Sequence, residues 1–210
     1  WVILIVSLGC HDAEPRVNIE LCLLWENAMS NQVVSAISAL FARWLRYRHG
    51  SDGLPHRSWD PEWTSPCELG EPWDGEVYWQ PVQREVPGTM ANVAAGLEME
   101  LHPDLSAYFG HWYAGPLAFS FKGLRVEPVL PWNQADFDRL QENLIGHALM
   151  QRRLRLTPTF FLAATRLDSH LISLDNQSGA VLFERVGRAE SRTLAPDLAT
   201  FLGRLEPLAR

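Results

Sequence analysis

Four side chains able to hold a proton or a cation recur at every second position of Leu97–Asp104, LEMELHPD: Glu98, Glu100, His102 and Asp104. They alternate with Leu97, Met99 and Leu101. On an extended strand alternate side chains share one face, so this spacing predicts a strand with three carboxylates and an imidazole projecting together. Three chemistries fit such a row: a metal site, a general acid/base pair, or a charged surface for a basic partner. A metal is disfavoured, because hard oxygen ligands usually come from loops or from separate elements. Pro103 also breaks the register, having no N–H to give a ladder.

A second pair, Glu142 and His147, is separated by five residues, so on a helix the two side chains face well apart. His147 lies nearer the Leu140/Leu144 stripe and is expected to be a hydrogen-bonded, partly buried histidine rather than a base. No serine or cysteine stands in a nucleophile-elbow context, and no phosphate-cradling glycine loop is present. Cys10, Cys22 and Cys67 show neither CxxC nor metal-ligand spacing, and no disulfide framework is expected. The chain is therefore not read as an enzyme, and no cofactor is implied.

The elements that must position these residues follow from periodicity. Ser30 or Asn31 can cap a helix with Val33, Val34, Ile37, Leu40, Phe41, Trp44 and Leu45 on one stripe and Gly50 beyond its end. Residues 51–75, rich in proline and tryptophan, read as a long structured loop. Residues 76–82 (EVYWQPV) alternate as a strand, and 90–96 (MANVAAG) as a short helix. Residues 119–132 read as a hairpin or bent strand. Asn133 caps a helix over about 133–154, buried through Phe137, Leu140, Leu144, Ile145 and Ala148, with Arg152, Arg153 and Arg155 complementing its carboxyl end. A strand at TFFLAAT follows, then two strands around Asn-Gln-Ser-Gly, then a closing helix using Leu198, Phe201, Leu202 and Leu205. Helices at the ends and middle with strands between predict an α+β domain, its sheet mostly antiparallel and flanked by helices.

Residues 1–9, WVILIVSLG, fall short of the ~20 apolar residues a membrane helix needs. They precede Cys10 as a lipoprotein leader would. Yet no basic n-region is present, and Ser7 stands where leucine is expected three residues before the cysteine. Met29 directly precedes the patterned segment and reads as a natural start. Residues 1–28 are therefore set apart as an extension, and 29–210 as one domain.

The formal charge is −7, which disfavours nucleic acid, whose phosphates would repel such a surface. Its distribution is uneven: residues 60–104 carry −9 and the remainder +2. Clustered like charge costs stability and is tolerated where it steers a partner. Trp59, Trp63, Trp73 and Trp79 thread through this acidic segment. Tryptophan is favoured at interface hot spots with charge at the rim, although Trp79 and about half of these rings are expected to plug the core.

QENLIGHALMQRRLRLTPTFFLAAT (141–165), with SPC at 65–67, VYWQP at 77–81 and the closing LATFLGRLEPL, resembles the Syd family, bacterial SecY-interacting proteins, over about residues 30–210. The resemblance implies a single α+β domain of the SUKH superfamily, and a protein on the cytoplasmic side of the inner membrane, attached peripherally. It implies binding to basic cytoplasmic loops of the channel protein SecY through an acidic concave surface, as a regulator or quality-control factor. SUKH relatives include immunity proteins, so neutralising a basic toxin is a rival function, and a metal-dependent enzyme at His102 a second. On this reading the docking residues are Glu68, Glu71, Asp74, Glu76, Glu85, Glu98, Glu100 and Asp104, and LEMELHPD belongs to that face.

Overall fold

The computed structural model describes residues 19–51 and 53–208, with residues 19–30 given by backbone alone. Of the extension set apart at 1–28, residues 1–18 lie outside the described residues. Helix α1 runs over Ile19–Gly50. It passes straight through Ser30 and Asn31, so the expected cap there is not a helix start. Val33, Ile37, Leu40, Phe41 and Trp44 are buried along one stripe, as the spacing requires.

The segment expected to be a long loop contains two strands, β1 (His56–Ser58) and β2 (Glu68–Trp73). They flank β3 (Glu76–Trp79) in an antiparallel three-stranded sheet of order β1-β3-β2. Asp74 and Gly75 join β2 to β3, and both have positive φ (46° and 76°). Positive φ at both central residues is what a two-residue hairpin turn following the strand twist requires. After a two-residue strand β4 (Val82–Gln83) come α2 (Ala91–Leu97) and α3 (Pro103–Gly110). Strand β5 (Trp112–Tyr113) then pairs with β4.

The main sheet has seven strands in the order β11-β10-β9-β8-β7-β6-β12, antiparallel at every pairing. These are β6 (Phe119–Phe121), β7 (Leu124–Pro128), β8 (Thr159–Thr165), β9 (His170–Asp175), β10 (Val181–Arg185), β11 (Ser191–Ala195) and β12 (Glu206–Pro207). The class is α+β, as expected. One face carries Phe160, Ile172 and Leu174 and is covered by α1, α3 and α5 (Leu198–Gly203). Contacts of this face include the Tyr108 hydroxyl donating to the Leu162 carbonyl (3.1 Å) and Phe121 against Phe201 (5.0 Å). The other face receives α4 (Gln134–Arg153), whose His147 packs edge-on to Phe161 at 5.6 Å.

α4 starts where the sequence placed it. Asn133 is extended, and its side chain accepts from the Asp136 N–H at 2.9 Å. Phe137, Leu140, Leu144 and Ala148 are buried. Trp79, fully buried, stacks on Trp44 and meets Trp132 edge-on (5.6 and 5.9 Å), joining the small sheet to α1 and to the entry of α4.

Candidate functional site

LEMELHPD is a connection, not a strand. α2 ends at Leu97, and Glu98 takes the left-handed conformation (φ 50°), its N–H returning to the last carbonyls of the helix. His102 caps α3, and Pro103 occupies the first helical position. Proline suits that position because its φ is preset and its missing N–H has no helical partner to lose. The same residue that spoils a ladder thus starts a helix.

The four ionisable side chains of this stretch part company. Glu98 and Glu100 are exposed, whereas Asp104 is buried at 1% exposure and is corrected from a docking residue to an internal one. His102 Nδ1 accepts from the Asp104 N–H (3.3 Å) and lies 3.7 Å from the Asp104 carboxylate. A nitrogen that accepts there has no proton to give the carboxylate, and neither Asp104 oxygen has a hydrogen-bond partner. Burial therefore pushes the Asp104 pKa up, against the opposing pull of His102. Among the described residues, no three His, Cys, Asp or Glu side chains are grouped to hold a metal.

Glu142 is exposed, whereas His147 turns toward Glu184, with Nε2 3.9 Å from Oε1. His147 is partly buried as expected, yet its Nε2 makes no hydrogen bond, which corrects that half of the expectation. Burial pushes its pKa down, Glu184 opposing. Sequence reasoning missed the buried group around Glu184. Thr159 and Ser173 hydroxyls donate to its Oε1 (2.8 and 2.7 Å), and Gln151 bonds Thr159 through both its amide atoms (2.5 and 2.9 Å). This network ties α4 to β8, β9 and β10; it offers no free nucleophile. Cys67 is buried too, its thiol pushed up to about 11 by desolvation.

Of the remaining predicted residues, Glu71, Asp74 and Glu85 are exposed, and Glu68 and Glu76 are half-buried at the surface. Glu68, Glu71, Asp74 and Glu76 belong to the β2–β3 hairpin, where Glu76 accepts from Ser58 Oγ (3.3 Å) and pairs with His56 Nδ1 (3.0 Å). Glu68 accepts from the Ser65 N–H (3.2 Å). This sheet is fastened to the entry of α4: the Asn133 amide donates to the Thr64 carbonyl (2.8 Å), Trp132 Nε1 to the Trp63 carbonyl (3.1 Å), and Ser65 Oγ to the Trp132 carbonyl. Glu85 follows Arg84, whose guanidinium donates to Gln134 at the same end (2.7 Å).

Glu98 and Glu100 are held at the other end. The Leu97 carbonyl accepts from Arg152 in the last turn of α4. Asn176, in the β9–β10 turn, donates to the Glu100 carbonyl and accepts from the His102 N–H (both 2.9 Å). α4 has 20 residues and is about 30 Å long, and the two acidic groups are tied toward its opposite ends. Among the described residues, none of the seven surface acids is paired with an arginine; Glu76 meets a histidine nitrogen, His56 Nδ1. Of the tryptophans, Trp79 is core, Trp63 is half-buried beneath Arg139 (4.8 Å), and Trp59 and Trp73 are exposed.

These features define an α+β domain that turns carboxylates and aromatic rings outward while burying His147, Glu184 and Asp104. The family model described as Syd protein (SUKH-2) matches residues 34–207. Proteins named Protein Syd from Aeromonas salmonicida and Aeromonas hydrophila are 50% and 48% identical over 180 residues, covering 86% of this chain and 99% of each relative. The protein of that name from Tolumonas auensis is 43% identical over 182 residues, covering 87% of this chain and 93% of its own. The chain belongs to the Syd family. No described helix is long and apolar enough to cross a membrane.

Proposed function

We propose that this chain binds the translocation channel protein SecY at its basic cytoplasmic loops, as a regulator or quality-control factor toward SecY outside its proper complex. The observation that carries the reading is the set of seven acids, Glu68, Glu71, Asp74, Glu76, Glu85, Glu98 and Glu100, none of them paired with an arginine among the described residues. Family membership supports it. Cytoplasmic loops of membrane proteins are rich in Lys and Arg, so uncompensated carboxylates accelerate encounter with them and favour them over neutral segments. Anionic headgroups repel the same surface, and attachment to the cytoplasmic side of the inner membrane then runs through the protein partner. In this reading the protein acts by binding, without catalysis or cofactor.

The test is co-sedimentation of the purified protein with inner-membrane vesicles enriched in SecY, beside vesicles of the same lipids without it. Binding is expected to require SecY and to fall steeply between roughly 0.05 and 0.5 M salt, because surface charges are screened beyond ~8 Å at physiological ionic strength. Equal sedimentation with lipid alone, or binding indifferent to salt, refutes the proposal.

A further inference from the structure

The outer face of the small sheet carries rings where polar side chains are usual. Register sets this face: His56 opposes Tyr78, Ser58 opposes Glu76, and Trp73 opposes Glu76 from the other side. Since alternate residues share a face, His56, Ser58, Trp73, Glu76 and Tyr78 point one way. Val77 and Trp79 point the other way and are buried in the core. Trp73 and Tyr78 stack at 4.3 Å with 23° between their planes, yet remain 39% and 45% exposed. His56 meets both edge-on, at 5.8 and 6.2 Å. Its Nδ1 and the Ser58 hydroxyl fix the two oxygens of Glu76 beside the stack.

Elsewhere this molecule lays its own guanidinium groups over aromatic rings: Arg57 over Trp132 (4.5 Å), Arg84 over Tyr113 and Phe137 (4.6 and 4.7 Å), Arg139 over Trp63 (4.8 Å). Among the described residues, no cation lies over Trp73 or Tyr78. We infer that this platform receives an arginine side chain of a basic partner segment, its guanidinium stacked on the Trp73–Tyr78 pair and bonded to Glu76. The inference rests on the acidic-surface reading above and adds to it a preference between the two basic residues. Guanidinium is planar, weakly hydrated and able to stack while donating in its plane; an ammonium is compact and strongly hydrated and loses the stacking part. Glu71 and Asp74 on the same hairpin favour a cationic occupant over an anionic lipid or an apolar one.

The experiment titrates the full chain, at low salt, with two Gly/Ser peptides of equal length and charge, one with arginine as its sole basic residue and one with lysine. The arginine peptide is expected to bind about three- to fivefold more tightly, the worth of an exposed cation–π contact. Trp73→Leu/Tyr78→Leu is expected to bring the two affinities together while moving the lysine peptide by less than about twofold, since the charge is unchanged. Tyr78→Leu alone serves as the second variant should the double variant lose its circular dichroism spectrum. Equal affinities for the wild-type chain, or a preference that survives these variants, overturns the arginine platform and leaves the acidic surface standing. Failure of both peptides to bind overturns the acidic-surface reading along with it.

Discussion

Asp104 is held in a place that suits its uncharged form. The carboxyl has lost water, receives no hydrogen bond, and faces an imidazole nitrogen already occupied by its own backbone N–H. With a folded pKa raised above the ordinary value of about 4, its stabilising contribution is complete below that value and is lost as pH rises through the folded pKa. Asp104→Asn is therefore expected to stabilise the protein at neutral pH by something on the order of 1 kcal/mol, the benefit disappearing toward pH ~4, as urea unfolding across pH would show. His147 acts in the opposite sense. Its pKa is depressed, so stability falls as pH drops below the free-imidazole value. Asp104 is also where alternation misled: four residues at period two fit a strand, but they equally fit a helix end followed by a cap. The decisive signal was Pro103 ahead of the Leu105/Tyr108/Phe109 pattern, which marks a first helical turn.

Elements with both a cap and a long apolar period were legible, and α4 is the clearest. Asn133 does two things there, accepting from Asp136 N–H to begin the helix and donating to the Thr64 carbonyl to hold the small sheet. Asn133→Ala is expected to cost about 1–2 kcal/mol in urea unfolding, and Asn133→Ser to recover the capping part but not the tie. The β8, β9 and β10 strands and the closing helix were legible for similar reasons. β1 and β2 were not, being short and set among prolines and tryptophans, although Asp74-Gly75 is a strong hairpin signal in that segment. α1 overran its expected start because Ser30 and Asn31 are capping residues that a helix can also contain, the backbone upstream being helical already.

For the molecule as a whole, the sequence shows how much negative charge lies in residues 60–104 but not how folding divides it. Of the eight acids expected to dock, Asp104 goes inside and the other seven are tied toward opposite ends of α4, a partition created by contacts far apart in the chain, such as Asn176 with Glu100. Trp79 is the comparable case for the core, joining three elements that lie up to 88 residues apart between Trp44 and Trp132. Trp79→Ala is expected to cost about 3–5 kcal/mol, measured as a lowered midpoint in urea. At the far edge of the main sheet, Glu206 and Pro207 pair with Ser120 and Phe119, and the Leu208 N–H reaches the Ala118 carbonyl. Until residues 206–208 have been made and have docked, β6 has an open hydrogen-bonding edge. A product cut short before Glu206 therefore carries a sticky margin open to its neighbours.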